Sequence, residues 1–488
     1  MINLQYTNHK QVSNALKKGL TTCQQLVEYY LTQIENTQEL NIYIEVFGEE
    51  ALAQAQALDL KYKEAPESVG KLFGMVISIK DVLCYKDHKL TAGSKILEGF
   101  ESLFTATAIQ RLLDEDAIII GRVNCDEFAM GSGNENSTYG PTRNGLDKSK
   151  VPGGSSGGSA VAVQMDTCLV SIGSDTGGSV RQPAAFCGIV GAKPTYGRIS
   201  RYGLIAYASS FDQIGTLSHS VADAALVLEL MAGADEWDST VSSKAVPSYS
   251  TQLNSTQNVK IAYFEDCLNH ASIDSEIKTA TQELIQKLKE DGHQVEAVPF
   301  DLLEYMIPTY YVLTMAEASS NLSRYDGVHY GQRSANIDPK ASLSALEQVY
   351  RKTRTESFGT EVKRRILAGT FVLSAGYYDA YYTKAQQVRK LIFDNFKKIF
   401  ESYDFILIPT TPNTAFKIGA NTSDPTQTYL ADIFTVSANL AGIPAISIPL
   451  ATHTNRLPFG VQLMTNSFEE VKLLSFAQQL MLEYLAKT

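Results

Sequence analysis

The chain has 488 residues, 44% of them hydrophobic and 19% charged, so it can bury a large core. A formal net charge of −11 argues against a chain that grips a phosphate backbone unaided, because clustered Lys and Arg make that contact. The six cysteines are scattered without CxxC or zinc-ligand spacing, and no apolar run approaches the roughly 20 residues of a membrane span. Reduced buried thiols, no bound metal, no membrane contact and, with no basic-apolar leader before residue 9, a cytoplasmic location are expected.

Residues 1–60 read as helices. The first covers 11–18, and Thr21 is the expected N-cap of CQQLVEYYLTQIEN, where Leu26, Tyr29, Tyr30 and Ile34 recur at helical spacing. From about residue 72 the pattern alternates: a buried strand over 75–79 ending on Lys80 and Asp81, a helix over 104–115, a strand over 117–121, then a glycine-rich stretch over 131–158. Helix and strand then run on through a serine cluster. Such alternation predicts an α/β fold, a mixed β-sheet core covered by helices on both faces. Residues 258–300 repeat strand, helix (275–290) and strand on the same sheet. Residues 301–403 are largely helical and rich in Tyr and Arg, a helical elaboration expected over the site. FILIP at 405–409 and PAISIPL at 444–450 return as buried strands, and 468–485 closes as an amphipathic helix. Without internal repeats or low-complexity segments, one domain over 1–488 is expected.

The chemistry concentrates in residues 152–182, PGGSSGGSAVAVQMDTCLVSIGSDTGGSVRQ, where glycine-serine clusters flank segments apolar enough to bury. A Gly/Ser linker would stay polar throughout. Ser155 and Ser179 each stand where a glycine pair meets a predicted helix start, and unpaired backbone N–H groups point outward there. A serine hydroxyl needs a base to become a nucleophile at neutral pH. Lys80 is one source, since burial can bring a lysine from about 10.4 to about 7–8. By itself it also reads as a strand-end lysine reaching water.

Other motifs fail by their missing parts. GGSSGGS lacks the GK[ST] ending of a phosphate loop, so no nucleotide site is indicated. There is no GxSxG elbow, and none of the seven histidines lies in HExxH or beside a predicted catalytic turn, which disfavours a Ser-His-Asp hydrolase.

GGSSGGS at 153–159, GSDTGGSVRQPAAFCGIVGAKPTYGRISRYG at 173–203, LTAGSKIL at 90–97 and GRVNCDEFAMGSGNENSTYGPTRN at 121–144 resemble the amidase signature family. The resemblance implies that family's fold and a Ser-cisSer-Lys relay. Lys80 ends the VSIKD strand as the base, Ser155 on a cis peptide is the bridge, and Ser179 is the nucleophile. Backbone N–H groups of Thr176, Gly177, Gly178 and Ser179 would receive the developing oxyanion.

Within the family, GKLFGMVISIKD, the run at 197–220 and EASSNLSRYDGVHYG at 317–331 look most like the A subunits of tRNA-dependent amidotransferases. That resemblance implies hydrolysis of glutamine, with Tyr310 of PTYY, Arg365 of EVKRRI and Asp432 of YxxDI as binding residues. Arg and Asp suit the carboxylate and ammonium of an amino acid. Arg364 is the adjacent alternative, about 100° away around a helix. It further implies a B subunit that uses ATP and Mg and holds the charged tRNA, Glu-tRNA(Gln) or Asp-tRNA(Asn), a small C subunit, and no cofactor in this chain. A stand-alone amidase of small or aryl amides is the alternative, and such an enzyme needs no carboxylate grip.

Overall fold

The computed structural model describes residues 5–254, 258–420 and 429–485. Helices α1 (His9–Lys17), α2 (Cys23–Asn36) and α3 (Gly48–Glu64) enclose a short strand, β1 (Tyr43–Val46). There follow β2 (Val76–Lys80), α4 (Thr107–Leu113), β3 (Ile118–Val123), α5 (Gly157–Gln164), β4 (Val170–Asp175), α6 (Arg181–Cys187), β5 (Val190–Lys193), β6 (Gln213–Ser218) and α7 (Val221–Met231). The second part of the chain runs β7 (Lys260–Phe264), α8 (Glu265–Leu268), α9 (Ser275–Glu290) and β8 (Gln294–Val298), then helices α10 (Leu303–Asn321), α11 (Ala345–Ser357), α12 (Thr360–Val372) and α13 (Lys384–Ile399). Strands β9 (Phe405–Pro409), β10 (Ala445–Thr452) and β11 (Pro458–Met464) complete the sheet, and helix Glu470–Leu480 follows.

Among the described residues, eleven strands join one sheet, in the order β1-β3-β2-β4-β6-β5-β10-β11-β9-β7-β8. It is mixed, as the alternation predicts: β2 is parallel to β3 and β4, and β7 to β8 and β9, while the remaining pairs are antiparallel. Every residue of β2, β3, β4, β6, β9 and β11 is buried, and because side chains alternate along a strand both faces of the sheet must be covered. The expected helices over 301–403 are α10 to α13.

Two expectations need correction. Residues 1–60 are not all helical, because Tyr43–Val46 pair antiparallel with β3 at the sheet's edge. A β-branched and aromatic run next to left-handed Asn41 favours extended backbone, and Gly121 opposite leaves room for the Glu45 carbonyl. The N-cap of α2 is Thr22 rather than Thr21: its hydroxyl accepts from Gln25 N–H at 3.1 Å while the Gln25 side chain returns to Thr22 N–H, a full capping box.

The parallel trio places the site. Strands β3, β2 and β4 run the same way, so Asp126 just past β3, Lys80 ending β2 and Ser174–Asp175 ending β4 converge at one edge. A crevice beyond the carboxyl ends of parallel strands is where α/β sheets bind ligands.

Candidate active site

Lys80 is wholly buried, and its ammonium donates to three hydroxyls: Ser155 Oγ at 2.6 Å, Ser156 Oγ at 2.9 Å and Ser174 Oγ at 2.9 Å. Ser156 in turn gives its proton to the Ser174 carbonyl at 3.1 Å, which leaves its oxygen a fixed acceptor. Ser155, the shortest contact, sits on a cis peptide after Gly154. Burial pushes the lysine down to about 8, against the raising pull of nearby Asp126, Asp175 and Asp212. Neutral Lys80 can therefore form near physiological pH and accept the Ser155 proton.

Ser179 stands just ahead of α6, and its carbonyl accepts the Ser156 N–H at 3.1 Å, which ties the two serine loops together. It is 8% exposed whereas Ser155 is 0% exposed, so of the two serines only Ser179 meets a ligand from outside. The loop before it needs glycine. A Cβ on Gly177 would collide with the Tyr310 hydroxyl end, and Gly178, at φ +127, would collide with Thr435. Among the described residues the N–H groups of Gly177 and Ser179 have no protein acceptor, as an oxyanion hole requires. Gly178 departs from its expected role, because its N–H donates to Asp175 Oδ1 at 2.9 Å and is already committed. Thr176 contributes its hydroxyl to Asp212 at 2.6 Å, which fixes the loop from below.

The residues expected to bind substrate lie alongside. Arg365 points inward with its side chain 3% exposed, while Arg364 is 43% exposed, as two residues 100° apart on a helix must divide. Arg365 Nε donates to Glu361 at 2.8 Å and one terminal nitrogen to the Tyr207 hydroxyl at 2.8 Å, and the rings of Tyr207, Tyr311 and Tyr429 surround the guanidinium at 5.3 to 5.6 Å. Asp432 accepts from Ser132 at 2.7 Å and from the Tyr311 hydroxyl at 3.0 Å. Burial pushes its carboxyl up to about 7. A cavity of about 340 Å³ opens here, lined by Ser132, Glu361, Arg365 and Tyr429 among others. It connects to the relay through Gln182, which donates to the Ser132 carbonyl at 3.0 Å and accepts Gly154 N–H at 2.9 Å.

Several supporting residues escape sequence reading. Asp175 and Arg181 form a buried pair at 3.0 Å that carries the nucleophile loop: Asp175 also takes the N–H groups of Gly178 and Val180. Burial raises the Asp175 carboxyl, but Arg181 and Lys193 outweigh it and hold it below the usual carboxylate range. Asp126 accepts the N–H groups of Asn134, Glu135 and Asn136 at 2.9 to 3.1 Å. An i, i+6 pair and a carboxylate turned onto a later loop leave no periodic signal. Among the described residues no group of three or more His, Cys, Asp or Glu is placed to hold a metal ion, and no helix is long and apolar enough to cross a membrane.

A pH profile follows from these groups. Below about pH 8 Lys80 is mostly protonated, so kcat for amide hydrolysis should fall roughly tenfold per unit on the acid side and level off above. Separately, the KM of an ammonium-bearing substrate should rise below about pH 7 as Asp432 takes a proton. Initial rates across pH check both; an acid limb of kcat at a carboxylate's unperturbed value of about 4 would exclude Lys80 as the base.

A buried lysine on three serine hydroxyls, with a further serine reachable from outside beside unpaired backbone N–H groups, is equipped for acyl transfer from an amide. The chain belongs to the amidase family, whose model matches residues 25–474. It is 49% identical over 476 residues to the A subunit of the glutamyl-tRNA(Gln) amidotransferase of Chlorobium phaeobacteroides, covering 97% of this chain and 98% of that one. The crystal structure of the corresponding A subunit from Thermotoga maritima superposes with a TM-score of 0.76 at 38% identity, covering 94% of this chain and 92% of that one. The native peptide amidase of Stenotrophomonas maltophilia shares the fold at a TM-score of 0.80 but only 28% identity, covering 96% and 95%.

Proposed function

We propose that this chain is the glutamine-hydrolysing subunit of a tRNA-dependent amidotransferase. The observation that carries the reading is a cationic and an acidic group at one cavity: Arg365 lines it, and Asp432 stands behind the lining residue Ser132, whose hydroxyl it accepts at 2.7 Å. A free amino acid presents a carboxylate to the first and an ammonium to the second, and its side-chain amide extends toward Ser179. An amidase of neutral amides has no use for that pair. Full-length identity to amidotransferase A subunits near one half, against 28% to a peptide amidase, supports the same choice.

Neutral Lys80 takes the Ser155 proton, Ser155 takes the Ser179 proton, and Ser179 Oγ attacks the glutamine amide carbon. The oxyanion faces the N–H groups of Gly177 and Ser179, each such donor worth about 2.7–4 kcal/mol in the transition state. Collapse returns a proton to the leaving nitrogen and frees ammonia, leaving a γ-glutamyl ester. Water gives a proton to the same relay as it attacks the ester, and that proton returns to Ser179 Oγ as the ester bond breaks and glutamate leaves. The ammonia passes to a B subunit that activates the charged tRNA with ATP and Mg, a small C subunit completes a cytoplasmic heterotrimer, and this chain carries no cofactor.

Arg365→Ala is expected to raise the glutamine KM roughly 10- to 100-fold with a smaller change in kcat, as loss of a charge-assisted grip dictates. Arg365→Lys should not restore it, since an ammonium cannot hold Glu361, Tyr207 and a carboxylate in one plane. Steady-state glutaminase kinetics decide; an unchanged KM in Arg365→Ala, or faster turnover of a neutral amide than of glutamine by the wild type, would favour the stand-alone amidase.

A further inference from the structure

Two adjacent carboxylates follow β3 and serve different parts of the site. Asp126 holds the loop at 134–136, and its carboxylate lies so close to Gly154 that a Cβ there would collide with it. Glu127, 3% exposed, accepts the Ser94 hydroxyl on one oxygen and the Gly359 N–H at 2.8 Å on the other. Gly359 is the N-cap of α12 and has no side chain to cap its own helix. Glu127 supplies the missing acceptor across a sequence separation of 232. A Cβ at 359 would collide with that carboxylate, so the glycine and the glutamate fit as a pair. Phe128 reinforces the contact edge-on to Phe358, ring centroids 5.8 Å apart. The turn that presents both residues holds Phe128 and Ala129 at φ 50 and φ 58, a strained pair of left-handed residues.

The other end of α12 is also fixed. Gly369 packs so tightly on the Met315 carbonyl of α10 that no side chain fits between them. Arg365 lies between the two fastenings, about 9 Å along the helix from Gly359. Without the Glu127 clasp, the first turn of α12 keeps the Tyr429–Glu361 and Tyr207–Arg365 bonds and buried Val362 but loses its tie to the turn after β3, which loosens the placement of Glu361 and Arg365. We propose that Glu127 is a positioning residue, clamping the N-terminus of α12 so that Arg365 meets the substrate carboxylate in register with Ser179. The inference rests on the reading of Arg365 as the carboxylate grip.

The test uses the chain assembled with its partner subunits. Glu127→Ala should raise the glutamine KM roughly tenfold while kcat changes by less than about threefold, because the relay is untouched and only alignment is lost. Glu127→Gln, which keeps an acceptor for Gly359 but no charge, should fall between, and it carries the test if the alanine variant fails to assemble. In an Arg365→Ala background the Glu127 substitution should raise KM no further, since both act through one contact. Amide hydrogen exchange at residues 359–362 should quicken in either variant, a readout independent of turnover. An unchanged KM, additive losses in the double variant or unchanged exchange would overturn the inference. A wild-type assembly that turns over no glutamine while the Glu127 variants still quicken exchange would overturn the functional reading and leave the clasp standing.

Discussion

Ser179→Ala is expected to lower glutamine hydrolysis by roughly four orders of magnitude or more, because the remaining relay has no oxygen to activate. The fold should survive, since the substitution removes one hydroxyl from a residue whose carbonyl, not its side chain, ties the loop to Ser156. The proposed division of labour makes a sharper demand. In the assembled complex, glutamine-driven amidation of the charged tRNA should vanish, whereas amidation driven by added ammonium salts should persist at the wild-type rate. The comparison is made in one preparation, so loss of assembly cannot imitate loss of chemistry. Simultaneous loss of both activities with the complex intact would mean that this chain also takes part in the acceptor chemistry.

Lys80 should be nearly as sensitive. Lys80→Ala removes the proton acceptor and leaves the hydroxyls of Ser155, Ser156 and Ser174 around an empty volume in a fully buried site. Lys80→Arg should not rescue it: a guanidinium stays charged in this pH range, so it cannot accept a proton, and its fork does not match three oxygens gathered at 2.6 to 2.9 Å around one nitrogen. If the proposed base and nucleophile act as one unit, the Lys80→Ala, Ser179→Ala double variant should be no worse than Ser179→Ala alone. Single-turnover release of ammonia measures all three. Appreciable activity in Lys80→Arg would make Lys80 structural and leave the base unassigned.

The relay is legible because each part interrupts a pattern. Lys80 ends an apolar strand, and Ser155 and Ser179 end glycine runs before helices, so burial and free N–H groups could be inferred without coordinates. The choice of Arg365 over Arg364 needed the helix phase, which the structure supplies. What stayed hidden depends on partners distant in sequence. Nothing local marks Ser156 and Ser174 as the lysine's other ligands, or commits the Gly178 N–H to Asp175. Strand β1 was hidden for a related reason: four residues give too few alternations to compete with the helical periodicity on either side, and only the edge of β3 makes them a strand. Strands β5, β6 and β11 also went unanticipated. Glycine and polar residues interrupt them, and they read as strands only once neighbours on both sides bury them.

The buried Asp175–Arg181 pair also sets when this enzyme can come alive. Arg181 reaches the Thr435 carbonyl, Asn439 Oδ1 and Gln462 Oε1, at sequence separations of 254, 258 and 281. Each missing acceptor leaves a buried guanidinium N–H unpaired at a cost of about 1–3 kcal/mol, so the loop that bears Ser179 is less stable in its working shape while those acceptors are absent. During synthesis the N-terminal half emerges first, bearing Lys80, Ser155 and Ser179, yet the strand that carries Gln462 is among the last elements made. A nascent or C-terminally clipped chain is therefore expected to hold Lys80, Ser155 and Ser179 without the contacts that brace the loop around Ser179. Hydrolysis is expected only from a chain that reaches these late elements, and a fragment lacking them should leave the amide intact.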